Sequence, residues 1–195
     1  MRIYLIRHGE TQWNKLRKYQ GSADVPLSEE GAGKLKKADF SPEMVYVTHL
    51  IRTQQTAKAI FPDARQEIED GFREMCFGVF EGRTYEDMEN DPDYRSWVDS
   101  GCTTRCPGGE DRKEVGDRVE ESFDRLMKKA AREGQDELVI VAHGGTQMAL
   151  LYRFGVPSRE YHDWLRPNGC GYLLDGDSWE DKKELRVIKE VTFSI

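Results

Sequence analysis

The sequence predicts an α/β fold: a three-layer sandwich in which a mainly parallel central sheet carries helices on both faces. Short apolar runs typical of buried strands alternate along the chain with segments of helical periodicity, the usual pattern of such sheets. Two of these runs, residues 3–6 and 137–142, lead into an Arg-His-Gly or a His-Gly-Gly sequence. The length of 195 residues suits one domain covering 1–195, with a small lid insertion.

The predicted strands divide into three clear ones and two late ones. Residues 3–6, 44–47 and 137–142 are apolar and rich in β-branched side chains, so they should be buried strands. Residues 170–174 and 185–193 are weaker candidates, which we expect toward an edge of the sheet.

Helices are predicted between these strands. Ser28 is an N-cap candidate before two glutamates, so a short helix should follow it. Residues 52–60 look helical. Over residues 110–133, apolar side chains repeat at helical spacing, acidic residues open the segment, and basic residues close it. Residues 147–154 should form a last helix after the third strand.

Residues 71–109 contain several glycines and prolines and only two short helical possibilities, around Glu86 and Arg95. We interpret about 76–109 as a lid-like insertion over the site. Its aromatic side chains either line a substrate pocket or pack the lid, and packing is the favoured interpretation; they are Tyr85, Tyr94 and Trp97.

The formal net charge of −7 and the lack of a basic block argue against nucleic acid or an anionic membrane as a partner. No apolar stretch approaches the ~18 residues of a membrane span, and the first run is too short for a signal peptide. We therefore expect a cytoplasmic protein. The cysteines form no C-x-x-C pair, so free thiols are favoured over a zinc site.

Four residues should meet at the carboxyl edge of the sheet, where open α/β sheets bind ligands. His8 and His143 each follow a buried strand, and Arg7 stands beside the first. Arg52 lies at the start of a predicted helix, a position that attracts anions. Arginine matches phosphate geometry and imidazole can attack phosphorus, which together indicate phosphoryl chemistry.

An ordered set of motifs resembles the histidine phosphatase superfamily, in its phosphoglycerate-mutase-like branch, over nearly the whole chain. The motifs are Arg7-His8-Gly9-Glu10-Thr11, Gln20-Gly21, Pro26-Leu27-Ser28, Arg52-Thr53-Gln54-Gln55-Thr56-Ala57, Arg73-Glu74, Phe77-Gly78, Pro107-Gly108-Gly109-Glu110 and Val141-Ala142-His143-Gly144-Gly145.

The resemblance implies a role for each matching residue. His8 is the expected nucleophile, and Glu74 is expected to protonate the leaving oxygen and then activate water. Arg7, Arg52 and a protonated His143 are expected to hold the phosphoryl oxygens, so neither a metal ion nor a cofactor is expected. The remaining expected substrate contacts are Thr11, Asn14, Gln20, Gly21 and the Gly144 N–H.

The same resemblance suggests a phosphomonoester hydrolase that acts through phosphohistidine on a small phosphorylated metabolite, with alpha-ribazole 5'-phosphate as one candidate. In mutases of this branch, Arg-His-Tyr-Gly usually follows the glutamate that acts as the proton donor. In this chain, Met75-Cys76-Phe77-Gly78 follows Glu74. This departure favours a phosphatase over the alternative, a cofactor-dependent phosphoglycerate mutase. A catalytically inactive scaffold that binds phosphorylated ligands is the second alternative, and analogy with the family suggests a homodimer.

Two further departures concern histidine. The family often has Ser-Pro where this chain has Thr48-His49, so Thr48 is expected to replace the serine hydroxyl. His49 and His162 are interpreted as structural or surface residues.

Overall fold

A seven-stranded sheet forms the centre of the computed structural model, which describes all 195 residues. In chain order the strands are β1 (Arg2–Arg7), β2 (Met44–Val47), β3 (Arg65–Ile68), β4 (Glu137–Ala142), β5 (Gly155–Val156), β6 (Cys170–Asp175) and β7 (Leu185–Thr192). Their order across the sheet is β3-β2-β4-β1-β6-β7-β5. Strand β6 is antiparallel to β1 and β7, and the other neighbours are parallel. The mainly parallel sheet that the sequence predicts is confirmed.

Eight α-helices accompany the sheet. They are α1 (Gln12–Lys15), α2 (Glu29–Lys34), α3 (Ile51–Ile60), α4 (Tyr85–Met88), α5 (Pro92–Asp99), α6 (Arg112–Glu133), α7 (Gly144–Phe154) and α8 (Trp179–Lys182). Ser28 caps α2 as predicted, and Gly134 ends α6 in the left-handed conformation. None of these helices combines the length and apolar character that crossing a membrane requires.

Successive side chains along each strand point to opposite faces of the sheet and pack into two separate hydrophobic cores. In β1, Ile3 and Leu5 belong to a cluster that includes the apolar stripe of α6, whereas Tyr4 and Ile6 belong to a second cluster with α3. Helices therefore cover both faces of the sheet, which confirms the predicted three-layer arrangement.

The insertion packs on the α6 side of the molecule. Phe80, Tyr94 and Trp97 are buried in the same cluster as β1 and α6, whereas Tyr85 is exposed. Packing is thus the main role of Tyr94 and Trp97, as favoured from the sequence. Trp97 also reaches the cavity described below.

Three expectations about the elements need correction. Strand β6 lies inside the sheet between β1 and β7, not toward an edge. The sequence predicts neither β3, whose sequence Arg-Gln-Glu-Ile lacks an apolar run, nor β5, which has only two residues. Helix α7 begins at Gly144 instead of residue 147, because His143 already serves as its N-cap.

Candidate active site

The two predicted histidines converge because their strands are neighbours. Strands β1 and β4 pair in parallel with Arg7 level with Ala142, so His8 and His143 leave the sheet at the same edge. The His8 N–H donates to the Ala142 carbonyl, and the two imidazole rings lie 5.3 Å apart between centroids, edge to face. Both side chains are almost completely buried.

The environment of His8 keeps its ring neutral and orients it. Its Nδ1 atom lies 2.7 Å from the Gly9 carbonyl oxygen, an arrangement in which Nδ1 carries the proton and donates. Burial, reinforced by the positive charges of Arg52 and Arg7, holds the pKa of His8 well below its usual value. The Nε2 atom is then left with its lone pair, which is the form a nucleophile needs.

Two arginines lie beside these histidines. Arg52, in the first turn of α3, is fully buried and donates to the carbonyls of Ala23 (2.7 Å) and Gly21 (2.9 Å). Arg7 donates to the Arg166 carbonyl at 2.8 Å. The buried Nε atoms of both guanidinium groups have no partner in the chain. A buried donor without a partner is costly, so each Nε is available to an anion.

His143 contacts Thr48, the residue expected to replace the family serine. Its Nε2 atom is 3.0 Å from the Thr48 hydroxyl, and its buried Nδ1 atom has no partner. Burial and the charge of Arg52 hold the pKa of His143 well below its usual value. The free site therefore favours a neutral His143, and the protonated ring expected beside a bound phosphoryl group stays a prediction. A neutral ring with its hydrogen on Nδ1 still offers one donor to an anion.

Glu74 reaches the site from the loop that precedes the insertion. Its carboxylate accepts the Gly145 N–H at 3.0 and 3.3 Å and the Met75 N–H at 2.9 Å. The contact depends on glycine, because a Cβ at position 145 would lie 2.2 Å from Oε1 of Glu74. The N–H of Gly144, the first residue of α7, has no partner in the chain and lies at the helix end that attracts anions.

The predicted substrate contacts divide into wall residues and a supporting one. Asn14, Gln20 and Gly21 line a cavity in front of His8. Thr11, Arg52 and His143 do not line it and are completely buried in the free site. Thr11 caps α1 and donates its hydroxyl to Gln20 at 2.9 Å, so it supports the wall and does not make the expected contact in the free site. Because the Asn14 oxygen accepts from Thr11, its amide nitrogen is the group left for a ligand.

The cavity has a volume of about 360 Å³ and two kinds of wall. Near His8 it is polar, with Arg7, Glu74 and the α7 N-terminus. The rest of the wall is largely apolar or aromatic, formed by Tyr19, Met75, Phe77, Trp97, Met148, Tyr161 and Leu165. A larger cleft of about 820 Å³ lies beside the start of β1, but it holds no histidine, so we assign the site to the smaller cavity.

Residues 3–188 match the family model described as the histidine phosphatase superfamily (branch 1). The chain belongs to the histidine phosphatase superfamily. A relative from Serratia proteamaculans (strain 568), named probable phosphoglycerate mutase GpmB, is 33% identical over 155 residues, which cover 74% of this chain and 70% of the relative.

Solved structures of family members have the same fold. The alpha-ribazole phosphatase from Shigella flexneri superposes with a TM-score of 0.81 at 26% identity, covering 100% of this chain and 98% of that one. The phosphoglycerate mutase from Thermus thermophilus gives a TM-score of 0.72 at 27% identity, with 98% and 99% covered.

Other site residues were not predicted from the sequence. Asn168 donates to the His8 carbonyl (3.0 Å) and to the Asn14 oxygen (3.2 Å), so it fixes the loop after β1. The Pro-Asn-Gly sequence at 167–169 is a turn signal, although nothing in it points to His8. Arg112, at the start of α6, lines the cavity with its guanidinium 3.7 Å from the ring centre of Tyr161.

The remaining histidines and cysteines lie mostly outside the site. His49 is exposed and pairs through Nδ1 with Asp70 at 2.8 Å, as expected of a surface residue. His162, expected to be incidental, lies on the cavity wall. All four cysteines are unpaired, and no cluster of three or more histidine, cysteine or acidic side chains is arranged as a metal site.

Proposed function

We propose that this chain is a phosphomonoester hydrolase that acts through a phosphorylated His8. The observation that carries the proposal is the set of buried nitrogens without partners around the neutral His8 ring: Nε of Arg7, Nε of Arg52 and Nδ1 of His143. A phosphoryl group bound there would satisfy all three while it faces the free Nε2 atom of His8. Phosphoryl transfer depends chiefly on such positioning and charge stabilisation.

In the first step, Nε2 of His8 attacks phosphorus and the ester P–O bond breaks. The leaving oxygen takes a proton from the Glu74 carboxyl, and the phosphoryl group moves to the histidine. Glu74 enters this step as the carboxylic acid and leaves it as the carboxylate. Arg7, Arg52, Asn14 and the Gly144 N–H would hold the phosphoryl oxygens during the transfer, each well-placed donor being worth about 3 kcal/mol.

In the second step, the Glu74 carboxylate takes a proton from a water molecule, whose oxygen attacks the phosphohistidine. The P–N bond breaks, inorganic phosphate is released, and His8 returns to its neutral form. Dividing one difficult displacement into two easier ones is the usual advantage of a covalent intermediate.

The cavity supports a small phosphorylated metabolite with an apolar or aromatic body as the substrate. Its apolar wall begins directly beside Glu74 with Met75 and includes Phe77 and Trp97. Alpha-ribazole 5'-phosphate is our first candidate, because it carries an aromatic group and because a structural neighbour bears the name alpha-ribazole phosphatase. We infer that the phosphate occupies the His8 end and the ring the aromatic end.

A cofactor-dependent phosphoglycerate mutase is the second candidate, supported by the names of relatives such as the Serratia protein. The structure offers cations for a second anionic group in Lys18 and Arg112, both on the cavity wall. Against it, Met75 and Phe77 present apolar surface immediately after Glu74, where a mutase would need to bind a carboxylate.

The test is to mix the protein with a panel of phosphomonoesters and to measure phosphate release, phosphoenzyme and isomerisation separately. The panel contains alpha-ribazole 5'-phosphate, sugar phosphates, nucleotides and 3-phosphoglycerate with 2,3-bisphosphoglycerate. We expect phosphate release and an acid-labile phosphoenzyme, both abolished in His8→Ala. Isomerisation without net phosphate release would favour the mutase, and binding without any labelling of His8 would favour an inactive scaffold.

A further inference from the structure

A nearly buried ion pair lies behind the loop that carries Glu74. Arg118, on α6, donates to Glu110 from Nε at 2.8 Å and from Nη2 at 2.9 Å, so the contact is bidentate. Only 13% of the Arg118 side chain and 15% of the Glu110 side chain are exposed to solvent. Burial alone would raise the pKa of Glu110, but Arg118 and the Cys76 N–H hold it below its usual value.

The pair holds the backbone on both sides of Glu74. Arg118 donates to the Arg73 carbonyl at 2.8 Å and to the Glu74 carbonyl at 3.1 Å. On the following side, the Cys76 N–H donates to Glu110 at 2.9 Å, and the Glu110 N–H donates back to the Cys76 carbonyl at 2.9 Å. Backbone groups of Arg73, Glu74 and Cys76 are therefore tied to two residues, Glu110 and Arg118, that lie outside the cavity.

The other backbone N–H bonds that tie this stretch to residues outside it lie at its two ends, from Arg73 to the Asp70 carbonyl at 3.1 Å and from Phe77 to the Glu81 carboxylate at 3.0 Å. Residues 73–77 form neither helix nor strand, so no regular pattern of backbone hydrogen bonds fixes the position of Glu74. At its other end, the Glu74 carboxylate is held by the Gly145 N–H, a contact that a proton-transfer cycle has to loosen when the carboxyl is protonated. The backbone bonds to Arg118 and Glu110 are independent of that protonation and can persist through both steps.

We propose that Glu110 and Arg118 are positioning residues that hold the Glu74 carboxyl at proton-transfer distance from the leaving oxygen. The inference rests on the proposed function, since it assigns a role that acts through Glu74. A general acid contributes about 10²–10⁴-fold, and a displacement of about 1 Å can cost about 10²-fold. Loss of the pair should therefore impair the steps that need Glu74 and spare those that do not.

The experiment compares two esters in two variants. Arg118→Lys keeps the charge but loses the bidentate geometry, and Glu110→Gln keeps the size but loses the charge. With an alkyl phosphate, whose leaving group needs a proton, kcat/KM should fall about 10- to 100-fold in both. With 4-nitrophenyl phosphate, whose leaving group needs none, kcat/KM should change little.

Arg125→Gln is the matched control. Arg125 is on the same helix and binds Glu69, which lies before the Glu74 loop, through an exposed side chain. This variant should retain the wild-type preference between the two esters. Rates are normalised to folded protein measured by circular dichroism, and if Arg118→Lys does not fold, Glu110→Gln decides the question on its own.

A second measurement repeats the substitutions in a Glu74→Gln background. If the pair acts through Glu74, Arg118→Lys should cause no further loss with the alkyl ester there. Equal losses for both esters, or losses that add in the Glu74→Gln background, would overturn the inference. In those cases His8 still becomes phosphorylated, whereas failure of the wild type to form any phosphohistidine would overturn the proposed function itself.

Discussion

Replacing Thr48 with valine removes the hydroxyl that touches Nε2 of His143 and leaves the volume of the side chain almost unchanged. Thr48 is fully buried, so no water replaces the lost partner. Its hydroxyl oxygen lies 3.0 Å from His143 Nε2 and 3.1 Å from the Thr53 hydroxyl, which also lies within hydrogen-bonding distance of the Leu50 carbonyl. We propose that the Thr48 hydroxyl donates to Nε2 of His143, which keeps the imidazole hydrogen on Nδ1, the atom proposed to face the phosphoryl group.

Two effects of Thr48→Val can be given magnitudes. An unsatisfied buried imidazole nitrogen costs about 1–3 kcal/mol of folding free energy. For a chain of this size each kcal/mol lowers Tm by about 2–4 °C. Without the hydroxyl, the hydrogen is free to move to Nε2, which turns Nδ1 from a donor into an acceptor. Losing one donor to a developing phosphoryl charge costs about 10²–10³-fold in rate.

Single-turnover quenched-flow with 4-nitrophenyl phosphate measures the rate at which His8 becomes phosphorylated. We expect Thr48→Val to slow this step by about 10²–10³-fold. Thr48→Ser, which keeps the hydroxyl, should be phosphorylated at close to the wild-type rate. Nitrophenolate leaves without needing a proton, so the measurement is independent of Glu74. A Thr48→Val protein that is phosphorylated at the wild-type rate would refute the proposed control of the His143 tautomer.

Three other expectations can be measured on the same protein. Gly145→Ala places a Cβ 2.2 Å from Oε1 of Glu74, so kcat/KM for alkyl phosphates should fall about 10- to 100-fold, more than for nitrophenyl phosphate. The pKa values of His8 and His143 are lowered on folding, so the unfolded chain binds more protons below about pH 6.5 and stability is lost as pH falls through that region. Urea unfolding from pH 7 to 5 should show a slope of up to about 1.4 kcal/mol per pH unit for each histidine, reduced in His8→Gln; an unchanged slope would contradict the burial argument. The pKa of Glu110 is lowered on folding, so its contribution to stability is present above about pH 4.3 and is lost at lower pH. The difference in Tm between the wild type and Glu110→Gln should therefore shrink between pH 6 and pH 3. A difference that stays constant would contradict the stabilising role of the Glu110 carboxylate.

The convergence of the site could be predicted because it follows from local rules. A buried strand followed by histidine and glycine occurs twice, and parallel neighbours end at one edge. His8 and His143 meet because β1 and β4 are neighbours, which the sequence left open, and Arg52 joins them because its helix follows the adjacent strand β2. The strands carry a strong apolar signal, so their bounds were predicted closely, whereas the charged β3 carries none.

The supporting contacts could not be predicted, because they join side chains to backbone groups far away in the chain. Asn168 binds the His8 carbonyl, and Arg118 binds carbonyls of the Glu74 loop, although neither residue type at those positions signals a backbone partner. The neutral form of His143 in the free site could not be predicted either, because it results from a burial that the sequence does not show. The motif residues determine which reaction is possible. The supporting contacts from distant residues set the distances and proton positions on which the rate of that reaction depends. Variants of Thr48, Glu110 and Arg118 therefore test the mechanism more sharply than further removal of His8.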